Sequence, residues 1–504
     1  MNTHTEIAYK RWTVFYIFAF CLVWWALFSI SRHYLDGADM VENYAWGQEW
    51  RWGNNKHPPL FGWIVAAWFS VFPTTDWAYY LLNEFNLGVA LILLAMAMGR
   101  LLSPEKVLAA IILTSLGSHF GPDSGYKYNA NTAQLPFIAG FVWSMLHATE
   151  SRRPLWFITA GVFGAAAILT KYYALVLFLA IGLGLLISMR LPLRELLKGL
   201  AITAITALLL VSPHILWSIQ HDWPSLHYMH TAHETTDGIT GIDSYVVAIT
   251  GLSLFGVVAL LAWGGSLMRL PVSTFDAERK PRLGLTILIL SVVLTLLAAW
   301  VQKIEPVSSW FIPVLLFLGW ALIDITPLRF GTAKLARRIA AFGVAYLAVA
   351  VGVTAVWTMR YRAYRAPPPY ALPQTLANGI TRLYRETYGE PLQFAAGTFP
   401  LPYDLAFYSI DHPHGIYGLD LSQSSWIDAR SLKAGNKVVV CGTLRFEIPS
   451  DPNCILGAQA LFGIPDRVKR IEYEVYDPKS KHLGRQSYDV LMWKPHISNE
   501  NVGR

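Results

Sequence analysis

The chain has 504 residues, of which 54% are hydrophobic and only 14% are charged. This composition departs from that of soluble domains in the direction of membrane proteins, and it excludes a purely soluble globular chain. The net charge of +7 does not indicate nucleic-acid binding, because most Lys and Arg residues lie between apolar segments, as the positive-inside rule expects. We therefore expect an integral membrane protein that contacts the lipid bilayer and no nucleic acid.

Apolar runs long enough to cross a bilayer recur through residues 1–358. We predict about eleven transmembrane helices, since roughly 20 apolar residues span the hydrocarbon core. Connections rich in Lys and Arg alternate with connections that hold most of the acids and histidines, which predicts a cytoplasmic N-terminus. No small-residue cleavage site follows the first run, so we expect a retained span. The predicted spans are 13–31, 77–98, 107–120, 131–148, 155–169, 173–189, 199–217, 244–268, 283–301, 310–325 and 339–358.

The composition changes after the last apolar run, where a stiff Pro367–Pro369 linker precedes more polar sequence. Residues 437–440 and 470–475 have the pattern of strands, and Leu376–Tyr388 that of a helix. An odd number of spans places this region outside the membrane, and we predict a soluble α/β or α+β domain. The predicted domains are a transmembrane domain over 1–358, whose first external loop is 32–76, and a soluble domain over 359–504.

Two of the three cysteines, Cys441 and Cys454, lie close together in the soluble region. They could form one disulfide if this region faces an oxidising compartment. A pair of small buried thiols has the same sequence pattern. The sequence leaves both alternatives open.

The first external loop has an unusual concentration of acids and tryptophans in the stretch Asp36–Trp63. A helix that begins near Asp39 would place carboxylates and indoles on one face, a combination suited to sugars because an indole stacks on a pyranose while a carboxylate accepts hydroxyl protons. An amphipathic helix in the lipid headgroups, with Trp anchors, is the alternative. We expect Asp36 and Glu49 to be solvated. The helical face would carry Asn43, Trp46 and Trp50 within about 40° of Asp39, with Glu42 about 60° to one side.

Basic residues recur on the predicted outer side, against the positive-inside bias. Lys56-His57-Pro58-Pro59 forms a stiff turn, Asp123 and Lys127 lie in the second external loop, and Thr170-Lys171-Tyr172-Tyr173 occupies a very short connection. An anionic group such as a phosphate would explain this placement, with the three lysines converging on one lipid phosphate. Snorkelling of each lysine to the phosphates of the bilayer is the alternative.

A histidine-rich external loop covers residues 218–243. The spacing of His227, His230 and Glu234 could place them on one helical face and bind a divalent metal, but no fixed zinc signature matches. We favour a solvated loop, or one that covers the site and contacts the acceptor. Neither a nucleotide-binding glycine motif nor G-x-S-x-G occurs in the sequence. An outer-face enzyme of this kind needs no cofactor, and its energy must arrive with the substrate.

The same residues resemble the first external loop of bacterial relatives of the protein O-mannosyltransferases. This group includes the aminoarabinose and galacturonosyl transferases that modify lipopolysaccharide. Two later motifs occur in the expected order, and residues 405–413 resemble the family's C-terminal region. The matching motifs are Asp39-x-x-Glu42-Asn43-x-x-Trp46-Gly47-Gln48-x3-Trp52-Gly53-x2-Lys56-His57-Pro58-Pro59-Leu60, Lys127-Tyr128-Asn129-Ala130-Asn131 and Leu169-Thr170-Lys171-Tyr172.

The resemblance implies a type C glycosyltransferase (GT-C) fold and an inverting transfer of a sugar from a polyprenyl phosphate. The reaction would take place at the periplasmic face of the bacterial inner membrane, with the C-terminal domain also periplasmic. Asp39 has the position of the family's catalytic acid, whereas Met40 stands where the family often has Glu. The predicted site comprises Asp39 and Glu42 for catalysis, Lys56, His57, Lys171 and Lys127 for the donor phosphate, and Asn43, Trp46, Trp50, Asp123 and Tyr172 for the sugar.

The acceptor would be a glycolipid or glycan of the cell envelope, with lipopolysaccharide core or lipid A expected first because the matched relatives act there. Another envelope glycan or a protein hydroxyl is the alternative acceptor. A polyprenyl-lipid flippase is the competing function, although it would need charges or broken helices at mid-membrane. A non-catalytic assembly protein would tolerate loss of Asp39 and Lys56.

Overall fold

The computed structural model describes residues 3–31, 35, 38–121, 127–189, 193–233, 282–304, 308–325, 341, 343–352, 355–356, 373–419, 421–424, 427–442, 452–476 and 482–494. The chain divides into two compact units. We call them the transmembrane unit (Met1–Phe28, Trp52–Phe61 and Tyr80–Gly352) and the C-terminal unit (Ser29–Arg51, Gly62–Tyr79 and Val353–Arg504). The first loop therefore contributes residues to both units.

The N-terminal two thirds of the described chain is helical, as the apolar runs predict. Four of its helices, Glu6–Ser31, Asp76–Met98, Leu197–Gln220 and Leu283–Gln302, are long and apolar enough to cross a membrane. The predicted span 244–268 lies outside the described residues, so the number of crossings stays a prediction. The helices are α1 (Thr3–Ser31), α2 (Ala38–Gln48), α3 (Leu60–Phe69), α4 (Asp76–Met98), α5 (Pro104–Ser115), α6 (Ala130–Ala133), α7 (Leu135–Ser151), α8 (Pro154–Thr170), α9 (Ala174–Met189), α10 (Leu193–Gln220), α11 (Pro224–His233), α12 (Leu283–Gln302), α13 (Ile312–Leu315) and α14 (Leu318–Ile325).

Small residues let the helices of the transmembrane unit approach closely. α8 packs against α7 and α10, α9 against α12, and α5 against α14. A Cβ on Gly161 of α8 would come within 2.8 Å of the Thr203 carbonyl oxygen of α10, and one on Gly319 would come within 2.0 Å of the Ala110 carbonyl oxygen of α5. Close backbone contact at small residues is typical of helix packing in membranes. Helices there associate through van der Waals packing and hydrogen bonds, because lipid removes the hydrophobic driving force between them.

The C-terminal unit contains the α/β domain that the sequence predicts. The elements are α15 (Pro373–Tyr388), β1 (Phe394–Gly397), α16 (Leu401–Tyr408), β2 (His414–Gly415), α17 (Ala429–Ala434), β3 (Lys437–Gly442), α18 (Pro452–Phe462), β4 (Arg467–Tyr476) and β5 (His482–Trp493). The mixed sheet has the order β2-β1-β3-β5-β4, with β1 parallel to β2 and β3, and β5 antiparallel to β3 and β4. A disulfide joins Cys441 to Cys454, which resolves the alternatives that the sequence left open.

One buried acid of this unit lies on α16. Asp404 is only 8% exposed, and burial together with the nearby Asp76 carboxylate raises the pKa of Asp404 to about 8. Tyr408, one turn later, donates a hydrogen bond to Asp76 Oδ1 (2.7 Å) and accepts one from the Leu35 backbone N–H. Asp404 is therefore mostly protonated in the folded protein at neutral pH.

We expect Asp404→Asn to stabilise the protein at pH 8. The pKa of Asp404 is about 8 in the folded state and about 4 in the unfolded chain, so the folded state binds the extra proton and its stability falls as the pH rises between these values. The neutral amide removes this loss, and Tm measured at pH 8 should rise by a few degrees, with little change near pH 4. Glu386→Gln, which removes an exposed carboxylate from α15, is the control; an equal gain in both variants would contradict the account.

Candidate active site

Lys56 and His57 lie on a turn that is fixed at both ends. Asn54 donates its backbone N–H to the His57 carbonyl oxygen (3.2 Å), and Pro58 and Pro59 lead directly into α3. Both side chains contact Tyr228 of α11: Lys56 Nζ is 5.3 Å from the ring centroid of Tyr228, and the ring centroids of His57 and Tyr228 are 6.3 Å apart. The turn thus holds an ammonium and an imidazole beside one aromatic ring.

Lys171 lies in the short connection between α8 and α9. It ends α8 with an extended backbone, which turns the chain before α9 begins at Ala174. Lys171 Nζ donates to Asn131 Oδ1 (2.7 Å) and lies 5.5 Å from the ring centroid of Trp310. Asn131 is itself fixed, because Asn129 caps α6 and accepts a hydrogen bond from the Asn131 backbone N–H. The ammonium group is therefore held by a neutral amide and an indole.

These cationic segments line one cavity of about 290 Å³ in the transmembrane unit, which we call the basic cavity. Among the described residues that line it, none is acidic. A cavity with two ammonium groups, an imidazole and an aromatic wall is suited to an anion. The lining residues are Lys56, His57, Pro58, Lys171, Tyr172, Tyr173, Leu175, Val176, Ser225, Leu226, Tyr228, Met229, Thr295, Ala298, Ala299, Gln302, Ile304 and Trp310.

A second cavity, of about 710 Å³, adjoins the first and is almost entirely apolar. Tyr172, Leu175 and Leu226 line both cavities. The remaining lining of this apolar cavity comes from α7, α8, α9, α10 and Trp223, and it includes Phe141, Ile168, Phe178, Val211 and Ile215. The pair of cavities therefore offers a charged compartment beside a hydrocarbon-like one.

Two other predicted residues of the external loops lie elsewhere. Lys127 is half-buried, its backbone carbonyl oxygen accepts a hydrogen bond from Thr132 (3.1 Å), and it is not among the described residues that line the basic cavity. Asp123 lies outside the described residues. The geometry thus brings together Lys56, His57 and Lys171 with the predicted sugar-binding Tyr172.

The predicted acidic helix of the first loop is present as α2, in the C-terminal unit. Asp39 is exposed in its first turn, whereas Glu42, Asn43 and Trp46 are buried. The prediction that Trp50 continues the same helical face is wrong, because α2 ends at Gln48 and Trp50 has a left-handed backbone (φ 49°).

Two residues that follow α2, the acidic Glu49 and the aromatic Trp50, have partners in the C-terminal unit. The indole of Trp50 is 55% exposed and stacks on Trp63 at 6.5 Å between ring centroids. Glu49 is not a solvated residue as expected, since its Oε1 lies 2.6 Å from His414 Nδ1 on β2. The hydrogen bond to the Glu49 carboxylate raises the pKa of His414. This contact ties the end of α2 to the sheet.

The metal hypothesis gains no support from the described part of the histidine-rich loop. His227 is exposed on α11, with Nε2 4.0 Å from Asp222 Oδ2. The side chain of His230 and all of Glu234 lie outside the described residues. Within the described ranges, no group of three His, Cys, Asp or Glu residues is close enough to hold a metal ion.

Comparisons with known proteins give a matching family model and a similar solved structure. Residues 56–217, which carry Lys56, His57 and Lys171, match the family model of the dolichyl-phosphate-mannose-protein mannosyltransferases. ArnT of Cupriavidus metallidurans has a similar structure, with a TM-score of 0.55 at 15% identity over 96% of this chain and 98% of that chain. The chain is a membrane glycosyltransferase of the GT-C fold.

Other comparisons add little. The oligosaccharyltransferase of Archaeoglobus fulgidus matches the glycosyltransferase with a TM-score of 0.44 at 12% identity, over 86% of this chain and 70% of that chain. That similarity is too low to support an argument. No curated protein sequence matches the glycosyltransferase.

Several residues that shape the basic cavity of the glycosyltransferase were missed by sequence reasoning. Tyr228 and Trp310 reach it from α11 and from the turn before α13, and no local pattern links them to Lys56 or Lys171. Asn131 was within a recognised motif without an assigned role. His214 was detectable in principle, since an ionisable residue within an apolar membrane helix is a functional hypothesis by default.

We expect Gly53→Ala to disturb the turn that carries Lys56. A Cβ at Gly53 would come within 2.1 Å of the Trp217 ring, so the turn or the indole must move. Overpacking of this kind costs about 1–3 kcal/mol, and it should lower Tm and increase the rate at which Lys56 is acetylated, as measured by peptide mass spectrometry. Gly182→Ala is the matched control, because a Cβ there meets nothing within 4 Å. Unchanged Tm and Lys56 acetylation in Gly53→Ala would show that the contact does not fix the turn.

Proposed function

We propose that this glycosyltransferase transfers a sugar, with inversion, from a polyprenyl phosphate donor to an acceptor of the bacterial cell envelope. The observation that carries the proposal is the basic cavity, which shares Tyr172, Leu175 and Leu226 with the apolar cavity. A polyprenyl phosphate has the same two parts, an anionic head and a long hydrocarbon tail. Support also comes from the matching family model, whose name specifies a dolichyl phosphate mannose donor.

The charges of the basic cavity suit the leaving group of such a transfer. As the bond between the sugar and the phosphate breaks, the phosphate oxygen gains negative charge. Lys56 and Lys171 would stabilise this charge, and because the Tyr228 ring and the Asn131 amide position them they need little rearrangement during the reaction. His57 would add a third hydrogen-bond donor when protonated.

The apolar cavity suits the first isoprene units of the tail. Its volume of about 710 Å³ lies within the usual range of ligand pockets, and its lining of aliphatic and aromatic side chains removes hydrocarbon from water. The remainder of a long polyprenyl chain would lie in the bilayer. The tail would then hold the donor in place while the phosphate occupies the basic cavity.

Asp39 is the residue that we propose as the base. Its carboxylate is exposed and lies in the first turn of α2, where the family resemblance places the catalytic acid. It would accept the proton of the acceptor hydroxyl as the sugar is transferred. Glu42, buried one turn later, would supply the second carboxylate that Met40 does not provide.

We place the reaction at the periplasmic face of the inner membrane, with the N-terminus in the cytoplasm. The Cys441–Cys454 disulfide supports this placement, because such bonds persist in oxidising compartments. Lipopolysaccharide core or lipid A is the acceptor that the resemblance favours. The name of the matching family model specifies protein acceptors, so a protein hydroxyl is the second acceptor to test.

We expect Lys171→Ala and Lys56→Ala each to lower kcat/KM for transfer by about 10²–10³-fold, the usual effect of removing one group that stabilises a developing oxyanion. The measurement uses purified protein in liposomes with radiolabelled polyprenyl-phosphate sugars and an envelope extract as acceptor. Lys127→Ala is the charge-matched control, since Lys127 is not among the described lining residues of the basic cavity. Equal losses in all three variants would contradict the proposed role of the cavity.

We expect Asp39→Asn to lower kcat for a hydroxyl acceptor by about 10²–10⁴-fold, with little change in the KM of the lipid donor, because a general base acts in the chemical step. The same assay at saturating donor measures it. Glu49→Gln, beyond the end of α2, controls for loss of a carboxylate in this loop. A wild-type rate in Asp39→Asn would exclude this residue as the base.

A further inference from the structure

A buried histidine lies near the C-terminal end of membrane helix α10. His214 is 1% exposed and follows Pro213, which interrupts the hydrogen bonding of the helix. The Leu209 carbonyl oxygen, which loses its N–H partner at Pro213, accepts a hydrogen bond from the Ser212 hydroxyl instead (2.8 Å). An imidazole at such a site must be hydrogen-bonded to be tolerated, and its partners therefore indicate its role.

Both ring nitrogens of His214 have hydrogen-bond partners, and the donor and acceptor of each bond can be assigned. Nδ1 is hydrogen-bonded to the backbone carbonyl oxygen of Trp52, which can only accept. Nδ1 must therefore carry the proton. Nε2 lies 2.6 Å from the Tyr172 hydroxyl, and in the neutral ring it accepts the proton of that hydroxyl. The two partners thus define one tautomer and one ring orientation.

These two partners belong to the two segments that carry the cations of the basic cavity. Trp52 begins the turn that leads to Lys56 and His57, and Tyr172 directly follows Lys171. In sequence the two segments are more than 100 residues apart. A single imidazole therefore joins them.

Neighbouring contacts from α10 and α11 fix the first of these segments further. The Trp217 ring packs against Gly53, and the Ser225 hydroxyl donates to the Asn54 carbonyl oxygen (3.2 Å). Residues 52, 53 and 54 are thus each contacted by a side chain of this helical pair. His214 also forms a hydrogen bond with the Tyr172 hydroxyl, with which Ser225 interacts as well.

We infer that His214 is a positioning residue that sets the spacing between the Lys56–His57 turn and the Lys171–Tyr172 connection, and so the affinity of the basic cavity for a lipid phosphate. The inference rests on the proposed function in taking a polyprenyl phosphate as the ligand. His214 would act on the phosphate through its two hydrogen bonds, while its own side chain lines the adjoining apolar cavity. Its loss should therefore weaken binding and spare the chemical step.

The test measures the Kd of undecaprenyl phosphate by native mass spectrometry and the KM and kcat of transfer with a polyprenyl-phosphate sugar. His214→Phe keeps a ring and loses both hydrogen bonds, and we expect Kd and donor KM to rise about tenfold with kcat within about threefold of wild type. His214→Gln, which retains a donor and an acceptor, should recover at least part of the affinity. A purely structural role would lower the amount of active protein and leave KM unchanged.

His221→Phe is the matched control, because His221 directly follows the same helix, stacks on Trp217 at 4.3 Å and is exposed. It should leave Kd and KM unchanged. Tyr172→Phe removes one partner of His214, so in a double-mutant cycle the effects of Tyr172→Phe and His214→Phe should be less than additive. If His214→Phe does not fold, as judged by Tm, then Tyr172→Phe and His214→Gln decide the question.

Two results would overturn the inference in different ways. Wild-type Kd and KM in folded His214→Phe, or in Tyr172→Phe where the first does not fold, would show that the imidazole does not set the affinity, with the proposed function intact. Failure of the wild-type protein to bind undecaprenyl phosphate would instead overturn the proposed function, and the phosphate role of His214 with it.

Discussion

The arrangement of the transmembrane unit depends on holding two ammonium groups beside an apolar compartment. Charged groups near hydrocarbon are costly unless they are hydrogen-bonded or meet an opposite charge. Contacts with the Asn131 amide and the Trp310 ring offset part of this cost for Lys171, and Lys56 lies against the Tyr228 ring. These contacts orient the two ammonium groups at the basic cavity. An anion that enters the cavity therefore meets positive charges that are already in place.

Because of this constraint, many of the surrounding contacts fix the backbone of the short segments that carry Lys56 and Lys171, not the ammonium groups themselves. Asn129 caps α6 and thereby fixes Asn131, while Asn86 of α4 donates to the Thr132 carbonyl oxygen (2.7 Å). Gly53 allows Trp217 to pack against the turn before Lys56. The cations themselves have flexible side chains, and only a rigid backbone makes their positions reproducible.

The sequence predicted the parts of this account that depend on local patterns. Apolar length predicted the four described helices that are long enough to cross a membrane. Proline and basic residues marked the Lys56–His57 turn, and strand periodicity predicted β3 and β4. The end of α2 at Gln48 was not predictable from the helical face alone, because the face continues to Trp50 while the backbone does not.

Contacts between distant segments were also beyond the sequence. The Glu49–His414 pair joins residues 365 positions apart, and no periodic pattern in the sequence predicts such a contact. The same limit applies to the basic cavity, whose Tyr228 and Trp310 come from separate parts of the chain. Family resemblance supplied the chemistry of Lys56 and Lys171, but only the three-dimensional arrangement shows that they line a common cavity.

The central claim, that a polyprenyl phosphate occupies the basic and apolar cavities together, is tested most directly by photoaffinity labelling. A polyprenyl phosphate with a diazirine in its first isoprene unit would be irradiated with the purified protein, and the labelled peptides identified by mass spectrometry. The account predicts labels on the lining of the apolar cavity, within residues 164–178 and 200–226, that are lost on competition with unlabelled lipid phosphate. Competable labels confined to residues 373–494 would contradict it.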